Sequence, residues 1–206
     1  MVRLFALLGL GGLLLATGAA RGASGPEQLE RFLQGLGTLS ARFEQAIVNP
    51  SQDDAGYAQG TLYLQRPGRF RWEYQIPDQL IVADGERVWM FDKELEQVSQ
   101  WGQESALKGT PALLLSDTSP LQDNFEVIDV GHRNGYEWAE LRPRYEDSEF
   151  SRILLAFSED QLQRMEIADS FGQITRFRFT RIQRNPGLDP ELFRFEPPSG
   201  IDLFSE

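Results

Sequence analysis

The chain has 206 residues, contains no cysteine and carries a formal net charge of −11. This length is enough for one sizeable domain. The missing cysteines exclude disulfides, thiol nucleophiles and cysteine-ligated metals. The acidic balance disfavours binding to nucleic acid and to anionic lipid headgroups, so we expect no nucleic-acid partner.

The first 23 residues differ in composition from the rest of the chain. Arg3 precedes an apolar run at residues 4–15, and small residues predominate at residues 16–23. This order is typical of a secretory signal, and the apolar run is too short for an ordinary membrane span. We therefore expect residues 1–23 to be a signal and residues 24–206 to form a single water-soluble domain. The competing interpretation is an N-terminal membrane anchor.

A helix is predicted at residues 26–39. Pro26 suits a first helical turn. The apolar residues follow the i, i+3, i+4, i+7 spacing of an amphipathic helix, namely Leu29, Phe32, Leu33 and Leu36.

Beyond the helix the apolar residues alternate with polar ones, which indicates β-strands. Leu39, Ala41, Phe43 and Ile47 begin the pattern, and a hairpin loop is predicted at residues 49–56. Residues 60–74 form either one long strand or two strands that meet at Pro67-Gly68. Their even positions carry the apolar face, with Leu62, Leu64, Phe70, Trp72 and Tyr74.

The rest of the chain continues the strand series. Asp84-Gly85, between runs at residues 80–83 and 87–91, is a strong hairpin signal. Thr110 and Pro111 can begin a short apolar helix that ends near Ser116, and residues 188–190 can open a helical turn. Further strands are predicted at residues 97–101, 125–130, 136–141, 151–157, 162–168, 174–182 and 193–195. Roughly ten short strands at hairpin spacing predict a mainly β protein whose sheet curls toward a barrel.

The sequence shows no motif that would support catalysis. The one histidine, His132, lies in a predicted turn. There is no Gly-x-Ser-x-Gly elbow, His-Glu-x-x-His zinc helix or phosphate-binding glycine loop. We therefore expect neither an enzyme nor a cofactor or metal site. A lipid hydrolase built on a carboxylate pair stays a competing hypothesis, because such pairs leave little local signature.

The alternating aromatic residues give the predicted sheet one strongly apolar face. They either pack a core or line an under-filled hollow, which would bind apolar ligands. Arg66 falls on this face by its position, and a guanidinium there must find acceptors, such as the carbonyl groups of the short helix. The alternatives are a salt bridge at the rim, or a kink at Pro67 that turns Arg66 outward.

Several segments together resemble the LolA family: LYLQRPGRFRWEY, VADGERVWMFDKELEQV, TPALLLS, SFGQ and NPGLDPELFRFEPPSGID. The resemblance implies an unclosed antiparallel β-barrel of about ten or eleven strands, with a helical lid over an apolar cavity. It also implies a periplasmic carrier of acylated lipoproteins, which receives cargo from an inner-membrane ABC-type releasing complex and delivers it to an outer-membrane receptor. We expect the carrier to be a monomer. The competing interpretation is a periplasmic lipid-sensing module of the same fold, as in RseB-type regulators.

The resemblance also implies roles for individual residues. Arg66 matches an arginine that holds the lid closed through backbone carbonyl groups, and Leu115 and Ser116 match the lid positions that it meets. Phe70 and Trp72 match aromatic residues of the cavity. The other predicted cavity residues are Phe43, Leu62, Leu64, Tyr74, Ile81, Trp89, Leu113 and Leu114.

Overall fold

The computed structural model describes residues 22–49, 52–103, 106, 114, 116, 118–145, 148 and 150–205. Helix α1, Gly25–Leu33, begins with a reciprocal capping box. Ser24 Oγ accepts from the Glu27 N–H at 3.4 Å, and a Glu27 carboxylate oxygen accepts from the Ser24 N–H at 2.8 Å. The helix ends before residue 39, so its predicted end is wrong. Gly35, which has φ of +67°, turns the chain, although Leu36 still packs into the core.

Among the described residues, twelve strands form the body of the protein. Of the two alternatives for residues 60–74, the structure has two strands that meet at Pro67-Gly68, while the predicted loop at residues 49–56 is too long because β2 begins at Gln52. The strands are β1 Thr38–Asn49, β2 Gln52–Gln65, β3 Arg69–Ile76, β4 Asp78–Asp84, β5 Arg87–Asp92, β6 Gln97–Gly102, β7 Phe125–Arg133, β8 Tyr136–Pro143, β9 Phe150–Ser158, β10 Gln161–Asp169, β11 Ile174–Arg184 and β12 Asp202–Ser205. A short helix, α2 Leu121–Asn124, and a 3₁₀ helix, η1 Pro190–Phe193, complete the described elements.

All twelve strands belong to one open sheet. Their order is β12-β6-β5-β4-β3-β2-β1-β11-β10-β9-β8-β7, and β12 and β7 are the two edges. Every neighbouring pair is antiparallel except β12 and β6, which are parallel. The predicted mainly β, unclosed antiparallel architecture is confirmed, with one or two strands more than expected.

The inner side of the sheet encloses one large apolar cluster. Ten of the twelve strands contribute to it, all except β6 and β12, so the sheet wraps around a common interior. Helix α1 packs against this side over β7 to β10, and Phe32 meets Phe157 with ring centroids 5.9 Å apart. The end of the helix is held by Arg184, whose Nη2 donates to the Gln34 carbonyl oxygen at 2.8 Å. In the described part of the chain no helix has the length and apolar character that crossing a membrane requires.

The C-terminal segment packs on the outer side of the sheet, which corrects the predicted strand at residues 193–195. Phe193 belongs to η1, where Asp189 caps the Glu191 N–H at 3.0 Å, and it is almost fully buried. Phe195 then packs against Trp89, with ring centroids 5.7 Å apart. The segment's apolar side chains are therefore buried by packing on the sheet, and the last strand forms only at β12.

Candidate functional site

The strand register brings the predicted cavity residues onto one side of the sheet. Leu62 is opposite Trp72, and Leu64 is opposite Phe70. On the next ladder Trp72 is opposite Ile81. Residues that are directly opposite each other on antiparallel strands project their side chains to the same side. The alternation in residues 60–74 therefore becomes a continuous apolar surface on β2, β3 and β4.

Aromatic rings dominate the middle of this surface. The Phe43 ring lies edge-on to Trp72 and to Tyr74, at centroid distances of 5.4 and 5.1 Å. Phe177 closes the group at 5.6 Å from Trp72. Sequence reasoning did not single out Phe177, although the alternation in residues 174–182 could have indicated it. Burial raises the pKa of Tyr74 to about 12, and its hydroxyl donates to Gln45 Oε1 at 3.2 Å.

Gly60 makes room for this aromatic group. It lies opposite Phe43 on one ladder and Tyr74 on the other. A Cβ at position 60 would come within 1.9 Å of the Glu73 carbonyl oxygen and 2.8 Å of Phe43 Cζ. The missing side chain therefore allows the Phe43 ring to lie over β2.

Burial divides the inner surface into two parts. Phe43, Leu62, Leu64 and Phe70 are each at most 4% exposed and form ordinary core. Trp72, Tyr74 and Ile81 are only half-buried, and we call these three residues the inner strip. The inner strip is the partly exposed portion of this apolar surface, whereas the other four residues are fully packed.

A turn between β2 and β3 holds the segment that follows β6. Arg66 Nη2 donates to the Leu114 carbonyl oxygen at 3.3 Å, and the Gly68 N–H donates to the Ser116 carbonyl oxygen at 3.0 Å. Both Leu114 and Ser116 are helical and buried. Leu113 and Leu115 lie outside the described residues. We call residues 66–68 the latch turn, because its hydrogen bonds join it to Leu114 and Ser116.

Gln103 supports the latch turn from the side. Its Nε2 donates to the Gly68 carbonyl oxygen at 2.7 Å, and its Oε1 accepts from the Gly85 N–H at 3.0 Å. The amide thereby links the β2–β3 turn to the β4–β5 turn. Next to the latch turn is a pocket of about 240 Å³, bounded by α1, Arg66, Leu114 and α2.

Trp89 is on the opposite side of the sheet from the position predicted for it. It pairs with Val82, and both belong to an outer cluster with Leu80 and Val98. Its indole N–H donates to Asp84 Oδ2 at 2.9 Å. Burial raises the pKa of Asp84, but this hydrogen bond and those from the Arg87 and Glu86 N–H groups outweigh burial, so the pKa lies below its ordinary value.

Among the described residues, the one histidine contacts a single carboxylate. His132 lies at the end of β7 with its Nδ1 2.9 Å from Glu137 Oε1, and its side chain is 62% exposed. Within the described ranges, no three His, Asp or Glu side chains come together as a metal site would require.

These features define a class of proteins in which an open antiparallel sheet wraps an apolar interior and a turn of the sheet is hydrogen-bonded to residues that follow β6. The family model of the outer membrane lipoprotein carrier protein LolA matches residues 34–196, and the chain belongs to this family.

Relatives named outer-membrane lipoprotein carrier protein match most of the chain. The relative from Nitrosospira multiformis is 40% identical over 186 residues, which cover 89% of this chain and 90% of that protein. The relative from Chromobacterium violaceum is 37% identical and covers 100% of this chain and 99% of that protein. A solved structure of an uncharacterized conserved protein from Thermus thermophilus shares the fold, with a TM-score of 0.53 and 14% identity over 88% of this chain and 96% of that one.

Proposed function

We propose that this protein is a non-enzymatic, monomeric periplasmic carrier that binds the acyl chains of outer-membrane lipoproteins. In this proposal it accepts cargo from an inner-membrane ABC-type releasing complex and delivers it to an outer-membrane receptor. The names of the relatives support the lipoprotein cargo. The observation that carries the proposal is the half-buried inner strip beside a segment held by Arg66.

The physical need for a carrier follows from the hydrophobic effect. Moving an acyl chain of about fifteen methylenes from lipid into water costs about 12 kcal/mol of free energy, at about 0.8 kcal/mol per methylene. A lipoprotein with two or three such chains does not cross an aqueous space unaided. The carrier must therefore offer an apolar surface that offsets much of this free energy.

The same surface must also release its cargo. A carrier that stabilised the acyl chains as much as the membrane does would release the lipoprotein very slowly. In this proposal the latch turn reduces the affinity, because cargo must displace the 114–116 segment and break the Arg66 hydrogen bond. A hydrogen bond from a charged group contributes about 1.5–3 kcal/mol. That is enough to favour release without preventing loading.

A reconstituted transfer assay tests this function. Inner-membrane vesicles containing the releasing complex and a labelled lipoprotein are mixed with ATP and the purified protein, and the soluble fraction is then added to outer membranes. We expect a soluble one-to-one complex and subsequent transfer of the label. Lipoprotein that stays in the vesicles would contradict the carrier function, and a stable complex that never transfers would contradict the delivery step.

A further inference from the structure

The indole N–H of Trp72 is buried and has no hydrogen-bond acceptor among the described residues. Two other tryptophans differ in this respect. Trp89 donates to Asp84 Oδ2 at 2.9 Å, and Trp138 donates to the Arg133 carbonyl oxygen at 3.0 Å. Most buried donors in native proteins have a partner, because an unsatisfied one destabilises the folded state. The unsatisfied N–H of Trp72 therefore requires an explanation.

The surroundings of Trp72 are apolar in every direction that the ladder and ring contacts define. Leu62 and Ile81 flank it on the two adjacent strands, and Phe43 and Phe177 pack against its ring. The hydroxyl of Tyr74, stacked beside it at 6.4 Å, already donates to Gln45. A phenylalanine at position 72 would suit this environment without leaving a polar atom unpaired.

Trp72 also belongs to the partly exposed inner strip. Its side chain is half-buried, whereas Leu62 beside it is 1% exposed. A ligand that packs on the inner strip therefore lies against the indole ring. The N–H itself is covered in this arrangement, so the indole ring must shift before an acceptor atom on that ligand can reach it.

We propose that the Trp72 indole N–H donates a hydrogen bond to the carbonyl oxygen of an ester- or amide-linked acyl chain on the bound lipid. This inference rests on the proposed function, because it presumes that acyl chains bind at the inner strip. The carbonyl oxygen accepts the hydrogen bond from the N–H, and the methylenes beyond it pack on Tyr74 and Ile81. Trp72 thereby makes the interior selective for acyl chains over alkyl chains of the same length, since an ether oxygen is a much poorer acceptor than a carbonyl oxygen.

A matched pair of probes tests the selectivity. One probe is a synthetic lipopeptide with a tetralysine tail for solubility. Its cysteine sulfur carries a glyceryl group, and two palmitoyl chains are attached to that group through ester bonds. The other is its dihexadecyl ether twin, which lacks both carbonyl groups. We expect the full-length mature protein to bind the ester probe about three- to tenfold more tightly than the ether probe in a titration, which is the contribution of one neutral hydrogen bond.

The variant Trp72→Phe keeps an aromatic ring and removes the donor. We expect its affinity for the ester probe to fall to that for the ether probe, so that the ratio becomes about one. Trp138→Phe is the control, because its indole belongs to a separate small cluster with Leu154 and Ala156 and donates to backbone. It should retain the selectivity of the unaltered protein.

A second measurement detects the indole donor directly in the unaltered protein, with the variant used only to assign its signal. The chain has four tryptophans and therefore four indole N–H signals in a nitrogen-15 correlation spectrum. The ester probe should shift one of them downfield, the ether probe should not, and the shifted signal should be the one that is missing in Trp72→Phe. Equal affinity for both probes in the unaltered protein would overturn this inference and leave the carrier function intact. Failure of both probes to bind would instead overturn the carrier function.

Discussion

Arg66 Nη2 lies 3.3 Å from the carbonyl oxygen of Leu114, a residue 48 positions further along the chain. The guanidinium reaches the backbone of the segment after β6, which is one of the alternatives that the sequence left open for Arg66. This contact also places a charged donor next to the buried Leu114, which belongs to the inner cluster. Replacing Arg66 therefore tests the proposed latch without changing the apolar surface.

Arg66→Leu should fold and accept lipoprotein, but pass it on poorly. The leucine removes the hydrogen bond that opposes cargo binding, so cargo should be held more tightly and transfer to outer membranes should slow about tenfold or more. The measurement is the rate of label transfer from a purified complex.

Arg71→Leu is a matched control for this experiment. Arg71 also donates from its guanidinium to a backbone carbonyl, that of Leu192 at 3.2 Å, but it does so on the outer side of the sheet. Its loss should leave the transfer rate unchanged. Equal rates for Arg66→Leu and the unaltered protein would count against the latch role of Arg66.

Phe70→Glu should abolish most cargo loading. Phe70 is 4% exposed in the inner cluster, and a carboxylate there must either lose its hydration or hold the interior open to water. We expect soluble lipoprotein in the release assay to fall at least about tenfold, while Phe70→Leu, which stays apolar, loads nearly normally. Circular dichroism at the assay temperature establishes that the variant is folded. Normal loading by folded Phe70→Glu would be incompatible with cargo contact at this surface.

Gly60→Ala should destabilise the fold by at least about 2 kcal/mol. The new methyl group would overlap the Glu73 carbonyl oxygen and the Phe43 ring, so β2 and β3 must separate locally. Gly56→Ala is the control on the same strand, because its nearest neighbour, Ile47 Cδ1, is 3.9 Å from the added Cβ. Urea unfolding should show a change within about 0.5 kcal/mol for this control. Similar values for the two variants would show that Gly60 is not sterically required.

Asp84 should make the stability of the fold depend on pH in the acidic range. Its pKa is lowered in the folded protein, so the stabilisation is present above the unfolded value of about 3.9 and is lost as the pH falls through the folded value. The difference in unfolding free energy between the unaltered protein and Asp84→Asn should therefore be largest near neutral pH and shrink below about pH 4. Glu86→Gln removes a more exposed acid from the same turn as a control. A difference that stays constant with pH would exclude ionisation of Asp84 as its source.

The sequence predicted most of the sheet because alternation identifies the apolar side of each strand. The apolar residues at even positions of this stretch all belong to the inner cluster, as expected from their alternation: Leu62, Leu64, Phe70, Trp72 and Tyr74. Alternation alone does not relate the sides of two separate strands, and Trp89 shows the consequence. In the hairpin around Gly85, Val82 pairs with Trp89 and Ala83 pairs with Val88. Ile81 and Trp89 could share a side only if the register were shifted by one residue, which would reverse the side of every residue in β5.

The C-terminal segment was harder to predict, because its apolar side chains are buried by packing on the face of the sheet and not by pairing with another strand. Phe193 and Phe195 have the spacing of a strand, yet Asp189-Pro190 begins a helical turn that takes Phe193 out of extended conformation. Phe195 then finds its partner in Trp89, more than a hundred residues earlier. No local pattern contains that contact. The sequence could not predict the unsatisfied N–H of Trp72 either, because that feature depends on the rings that surround it in the folded protein.

Site-specific photo-cross-linking in cells tests the central claim most directly. A benzoylphenylalanine at Ile81 projects into the interior, and the same residue at Phe91 lies with the outer cluster and serves as the control. We predict that irradiation joins the Ile81 probe to acylated lipoproteins, with the cross-link on the lipid part by mass spectrometry, and that the Phe91 probe gives no such product. Lipoprotein captured equally at both positions, or only at Phe91, would contradict the claim that the inner side of this sheet binds acyl chains.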